Sequence, residues 1–170
     1  MIPTLTTDRL TLRAPRSDDF EAYAAFLSSD RARTIGGPFS RAQAFQSLCA
    51  LIGHWSIRGF GRWMVADRST DAPLGIVGLF FPDDWPEPEI AWTLFDTAEG
   101  RGIAQEAAVA SRAYAYDTLG WTRAVSLIDP ANSRSVALAE RLGCAKGDFY
   151  HHPTLGQLQY WHHPAPEALQ

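Results

Sequence analysis

The chain has no excess of positive charge. Its 15 Lys and Arg are outnumbered by 19 Asp and Glu, for a formal net charge of −4. A broad nucleic-acid footprint needs a basic face, so that class is excluded, while a local basic pocket for a small anion is not. Cysteine is scarce: Cys49 and Cys144 are the only two, no multi-bridge framework is available, and reduced, buried thiols are expected. No run of about 18 apolar residues occurs, so no membrane span is expected. "MIPTLTTDRLTLR" lacks the positive-then-apolar order of a secretion signal. A cytoplasmic protein with no nucleic-acid or membrane partner is the expectation.

What is present suits an ordinary globule. Apolar residues make up 46% of 170 positions, enough for one domain, 1–170, with a real core. "RLTLR" (9–13) alternates as a strand. "SDDFEAYAAFLSS" reads as a helix opened by an Asp18–Glu21 capping box. "GGP" (36–38) breaks the chain before a second helix over 40–57. Strands are expected at 62–67, 74–81, 89–95 and 123–128, with a proline-rich loop at 82–88. A third helix spans about 102–119 and ends at Gly120, and a short one within 129–143 starts at Asn132 and stops at Gly143. Two strands around a Pro153–Gly156 loop close the chain. Consecutive middle strands favour antiparallel pairing and the later strand–helix–strand unit favours a parallel pair. The fold class is α+β (mixed α/β): a mixed, mostly antiparallel sheet of about six to seven strands flanked by about four helices.

The most informative stretch is "EGRGIAQEAA" (99–108), two glycines around an arginine where a helix begins. A helix N-terminus offers unpaired N–H groups and partial positive charge, and glycine lets an anion reach the backbone. Small residues at Ala104, Ala107, Ala108, Ala110 and Ser111 let this helix sit close to a sheet. Three readings stay open: a plain strand-to-helix turn, a dinucleotide site with Asp129 as the ribose acid, and the diphosphate of another cofactor. The dinucleotide fingerprint lacks its third glycine, since Gln105 stands there. A P-loop is excluded because no G-K-[ST] occurs.

"GRGIAQEAA" resembles the coenzyme A diphosphate loop of the GCN5-related N-acetyltransferase (GNAT) family, and most closely the branch that acetylates ribosomal-protein N-termini (RimJ/RimL-type). "TDRLTLRAPRSDDFEAY", "EIAWTL" and "NSRSVALAERLGC" resemble that branch's other motifs in the same order, over about residues 7–145. Glu99 stands where the family usually has Gln or Arg, and a carboxylate beside a diphosphate is unfavourable unless it points away. Ala91 and Cys144 are further departures.

The resemblance implies the GNAT fold and acetyl-CoA as cosubstrate, with no metal. The implied cofactor-binding residues are Trp92, Thr93 and Leu94 along the pantetheine arm; Gly100, Arg101, Gly102, Ile103, Ala104 and Gln105 at the diphosphate; and Asn132 and Ser135. Asn132 is equally suited to capping a helix. Many relatives place a tyrosine acid seven positions after this Asn; Ala139 occupies that position, which leaves Ser135 as the donor to the leaving thiolate or a first-turn cap. Glu89 is the candidate base, since a desolvated carboxylate is a better proton acceptor near neutrality; its plainer reading is an edge glutamate in water.

The expected function is acetyl-CoA-dependent N-acetyl transfer, direct, to a primary amine: a protein N-terminus or a small molecule. The acidic loop 83–89 leans toward a cationic acceptor. The alternatives are a non-catalytic acyl-CoA-binding or sensor module and a nicotinamide-dependent enzyme. Monomer and homodimer are both open. His151–His152 and His162–His163 offer at most one ligand per pair to a common site, so a solvent-facing hairpin is expected there. Trp55, Trp63, Trp92 and Trp161 are expected in the core, and Trp85 at an acceptor pocket or lid.

Overall fold

The computed structural model describes residues 1–169. Eight strands form one sheet: β1 (Leu5–Thr6), β2 (Leu10–Arg13), β3 (Arg62–Asp67), β4 (Pro73–Phe80), β5 (Glu89–Leu94), β6 (Val125–Ile128), β7 (Ala145–His152) and β8 (Gly156–His162). Their spatial order is β1-β2-β3-β4-β5-β6-β8-β7. Every neighbouring pair is antiparallel except β5–β6. Four α-helices flank it: α1 (Phe20–Leu27), α2 (Arg41–Arg58), α3 (Ile103–Ala113) and α4 (Ser133–Arg141).

Strand alternation sorts the core onto two faces. Trp63 and Val65 of β3 join Val77, Leu79 and Ile90 against α3, where Ala107 and Ala108 are fully buried and bring the helix close. Met64, between them in sequence, joins Ile76, Tyr23, Phe26, Leu48 and Leu51 under α1 and α2. α2 starts as its sequence announces: the Ser40 hydroxyl accepts from the Gln43 amide at 3.2 Å, and the Gln43 side chain accepts from the Ser40 amide at 2.8 Å. It stops at Gly59, whose φ of +77° only glycine adopts freely.

The structure corrects several expectations. The sheet has an eighth strand, because Leu5–Thr6 pairs with Leu12 and Thr11; two residues are too few to show alternation. α1 does not open on an Asp18–Glu21 box. The Asp19 carboxylate accepts from the Arg16 amide at 2.7 Å and grips the buried Arg13 guanidinium at 2.9 Å, while Glu21 pairs with Arg41. The third helix widens into a π-type turn over Tyr114–Thr118. Cys49 is exposed, on the outer side of α2. The C-terminal hairpin does not simply face solvent, since His152 and His163 are buried while His151 and His162 are exposed.

Candidate functional site

The parallel ladder between β5 and β6 lasts one residue pair, Glu89 with Val125. Beyond it the strands part, and Ala91–Leu94 keep a strand partner only on the β4 side. Parting strips backbone groups of their mates, and side chains replace them. The Glu89 Oε2 accepts from the Leu127 amide at 2.8 Å, and the Ser126 hydroxyl donates to the Ile90 carbonyl at 2.6 Å. Because that hydroxyl hydrogen is committed, His163 Nε2–H donates to Ser126 Oγ at 3.0 Å. His163 is held neutral with its pKa pushed down to about 3, first by burial and then by the charge of Arg112.

Two cavities border the divergence, and Trp92, Thr93, Asn132 and Ser135 line both. The larger, about 870 Å³, is a trough between β5, the start of α3 and α4. Of the residues expected to bind the cofactor, it brings together Trp92, Thr93, Leu94, Gly100, Ala104, Asn132 and Ser135. Arg101, Gly102, Ile103 and Gln105 do not line it with their side chains: Arg101 is exposed and Ile103 is core. Their backbone forms the entry to α3. Gly100 and Gly102 have φ of +69° and +74°, and a Cβ on Gly100 would meet nothing within 4 Å. The first-turn amides precede any carbonyl of the helix, so they are free to meet an anion.

The neighbouring carboxylates are turned aside or neutralised. Glu106 accepts from Thr7 Oγ1 at 2.5 Å and from the Arg9 amide at 3.0 Å, tying β2's approach to α3. Glu99 lies in the trough, bridged to Arg31 and to Arg134 (2.7 Å). With Arg141 also lining it, the trough carries three arginines that sequence reading missed. Arg134 and Arg141 stand on the recognised α4 motif, where their charge was a usable signal; Arg31 sits in the aperiodic turn Asp30–Ile35, where no pattern marks it.

A profile of the acetyltransferase (GNAT) domain matches residues 9–145. The chain belongs to the GNAT acetyltransferase family. The acetyltransferase is 31% identical over 148 residues to the Bacillus subtilis (strain 168) protein YkkB, covering 82% of this chain and 83% of YkkB. A solved acetyltransferase from Agrobacterium tumefaciens str. C58 superposes with a TM-score of 0.88 at 36% identity, covering 96% of each chain. RimL, a ribosomal L7/L12 α-N-protein acetyltransferase solved in complex with coenzyme A, shares the fold, with a TM-score of 0.74 at 15% identity over 94% of this chain and 97% of that one.

The acetyltransferase's smaller cavity, about 260 Å³, lies on the α1–α2 side and holds Glu89, Arg62, Tyr23, Phe80, Trp85 and Leu155 in its walls. Glu89 is only 5% exposed. Its pKa is pushed up to about 7 by burial, against the opposing pull of the Leu127 amide, the Trp85 indole and the Arg62 charge. Arg62 falls in "RGFGRW" (58–63), which the sequence offers as an acceptor-side loop alongside "GGPFS" (36–40), without marking the arginine itself. Its parity with Met64, on a strand whose other inward positions are apolar, was the available signal.

Ser135 Oγ accepts from the Trp92 indole N–H at 3.1 Å, which leaves the hydroxyl hydrogen uncommitted. Asn132 caps α4, its Oδ1 accepting from the Ser135 amide at 3.2 Å, and keeps its NH₂ free toward the trough. No group of three or more His, Cys, Asp or Glu that could hold a metal lies among the described residues, and no described helix is long and apolar enough to cross a membrane.

Proposed function

We propose that this acetyltransferase uses acetyl-CoA to acetylate a primary amine directly, with Glu89 as the base. The observation that carries the reading is a buried carboxylate of pKa about 7 in a small cavity that shares Trp92, Thr93, Asn132 and Ser135 with an anion-ready trough. The trough fits the nucleotide thioester: bare backbone at Gly100, free amides opening α3, arginines 31, 134 and 141, and an unpaired β5 edge that an extended arm can join as an added strand. RimL, which shares the fold, was solved with coenzyme A bound.

Acetyl-CoA bound there supplies an electrophilic thioester carbonyl and a thiolate leaving group. Most of the amine is protonated near pH 7, so Glu89 first accepts a proton to free the nitrogen lone pair; the N–C bond then forms, the C–S bond breaks, and the second nitrogen proton goes to the departing thiolate. Ser135 directs its free hydroxyl hydrogen toward the departing sulfur. Trp92 orients Ser135, and Asn132 offers its NH₂ to a carbonyl of the arm. Neither Cys49 nor Cys144 borders either cavity, and burial pushes the Cys144 thiol up to about 11. This supports transfer without a thioester on the enzyme.

Thiol release from acetyl-CoA over a panel of amines, with product mass, tests the proposal. Amine-dependent release accompanied by an N-acetylated product is expected. Tight acetyl-CoA binding without transfer to any amine would instead leave a sensor.

A further inference from the structure

Arg62 is a half-buried cation without a counter-ion in contact. Arg13 and Arg112 are deeply buried and satisfied, the first by Asp19 and Asp71, the second by the Leu142 carbonyl. Arg62 has no such partner. Its Nε is buried without an acceptor, and among the described residues no carboxylate oxygen lies within 4.0 Å of its guanidinium. The group stacks 4.3 Å from the centre of the Phe80 ring, which fixes its plane and leaves its donors unspent. Trp85 Nε1 is also buried without a full hydrogen bond, but it faces the Glu89 carboxylate, whose charge it favours. Both side chains line the 260 Å³ cavity that holds Glu89. Buried donors left orphaned by the protein are expected to meet a ligand or solvent.

Sheet register explains the arrangement. Arg62 faces Gly78 on β4, and Gly78 faces Ala91 on β5. A Cβ on Gly78 would lie 2.8 Å from the Arg62 Cα, and Ala91 is small, so no bulk fills the floor between Arg62 and β5. Two residues along, Phe80 faces Glu89. A cation from β3 and a carboxylate from β5 therefore share one face, their strands roughly 10 Å apart. The acidic loop's carboxylates are turned elsewhere: Glu87 pairs with Arg123 at 2.8 Å, Asp84 lies 3.7 Å from His152 Nε2, and Asp83 is fully exposed, 3.9 Å from Arg58.

Building on the proposed function, we infer that the acceptor carries a carboxylate beside its amine, held by Arg62 while Glu89 meets the nitrogen. The acceptor is a free amino acid or close analogue with an apolar side chain. Phe80, Trp85 and Leu155 supply walls for that side chain, and the cavity lies below the roughly 300–1,000 Å³ of drug-sized pockets. A peptide N-terminus offers Arg62 a neutral amide carbonyl, which accepts a hydrogen bond but leaves the guanidinium charge without a counter-ion.

Tryptophan fluorescence of the protein saturated with a non-reactive desulfo-CoA tests binding apart from transfer. The probes are L-phenylalanine, L-phenylalaninamide, phenethylamine and a phenylalanine-initiated dipeptide, titrated into wild type, Arg62→Gln and Arg62→Lys. L-Phenylalanine is expected to bind about ten- to hundred-fold more tightly than the probes without an α-carboxylate. Arg62→Gln erases that preference and Arg62→Lys recovers part of it, while desulfo-CoA affinity stays as in wild type. Equal affinities, preference for the dipeptide, no binding of any probe, or a preference that survives Arg62→Gln each overturn the inference. Carboxylate-dependent binding without thiol release would overturn the transferase reading and leave this one standing.

Discussion

Glu89 accepts from the Leu127 amide at 2.8 Å across the point where β5 and β6 part, so one carboxylate both ties β6 to β5 and lines the smaller cavity. Glu89→Gln keeps an acceptor for Leu127 and removes the base. It is expected to lower kcat/KM by roughly 10²-fold or more with little loss of Tm. Glu89→Ala removes the acceptor too and should cost about 1–3 kcal/mol of stability. Steady-state kinetics and thermal melts read the two effects separately.

The base must be ionised to act. With Glu89 at about 7, kcat/KM should rise through that pH and then level. In Glu89→Gln the limb assigned to this group should vanish from the pH–rate profile.

Stability should show two opposing slopes. Glu89 is raised from 4.5, so its contribution is present below pH 4.5 and lost as pH rises through about 7. His163 is depressed from 6.5, so its contribution is present above pH 6.5 and lost as pH falls toward about 3. Between pH 4.5 and 6.5 the two offset each other. Glu89→Gln should unmask a rise of up to about 1.4 kcal/mol per pH unit in that window, and His163→Gln a fall. Denaturant midpoints from pH 4 to 8 check the signs.

Glu99 holds Arg31 and Arg134 in the trough, where it competes with an incoming phosphate. Arg134→Ala should weaken acetyl-CoA binding by about ten-fold, and Glu99→Gln should tighten it by about two- to five-fold. Calorimetry at low and high salt tests both, with the arginine effect shrinking at high salt.

Ser135→Ala should lower kcat by about ten-fold, less than a full general-acid loss because the thiolate leaves readily. Ser135→Thr keeps a hydroxyl and should recover part of the rate at unchanged acetyl-CoA affinity.

Local pattern carried much of the fold. The Trp63–Met64–Val65 alternation and the Ser40, Gln43 and Gly59 punctuation of α2 each report a short-range force. β1 was hidden because a two-residue strand has no period, and the Asp30–Ile35 turn because nothing in it repeats. The site divides similarly. Gly100, Trp92, Asn132 and Ser135 lie on contiguous motifs, and the trough gathers them. The Arg31–Glu99–Arg134 bridge, the Glu89–Leu127 bond and the His163–Ser126 pair join residues 35 or more positions apart, so only tertiary packing reveals them.

The most direct test is a crystal structure with acetyl-CoA bound. The diphosphate is expected on the amides that open α3, near Arg134, with the pantetheine arm along Trp92–Leu94 and the thioester between Ser135 and the cavity that holds Glu89. A diphosphate bound away from the α3 N-terminus, or a thioester that never enters the β5–β6 divergence, would contradict this placement.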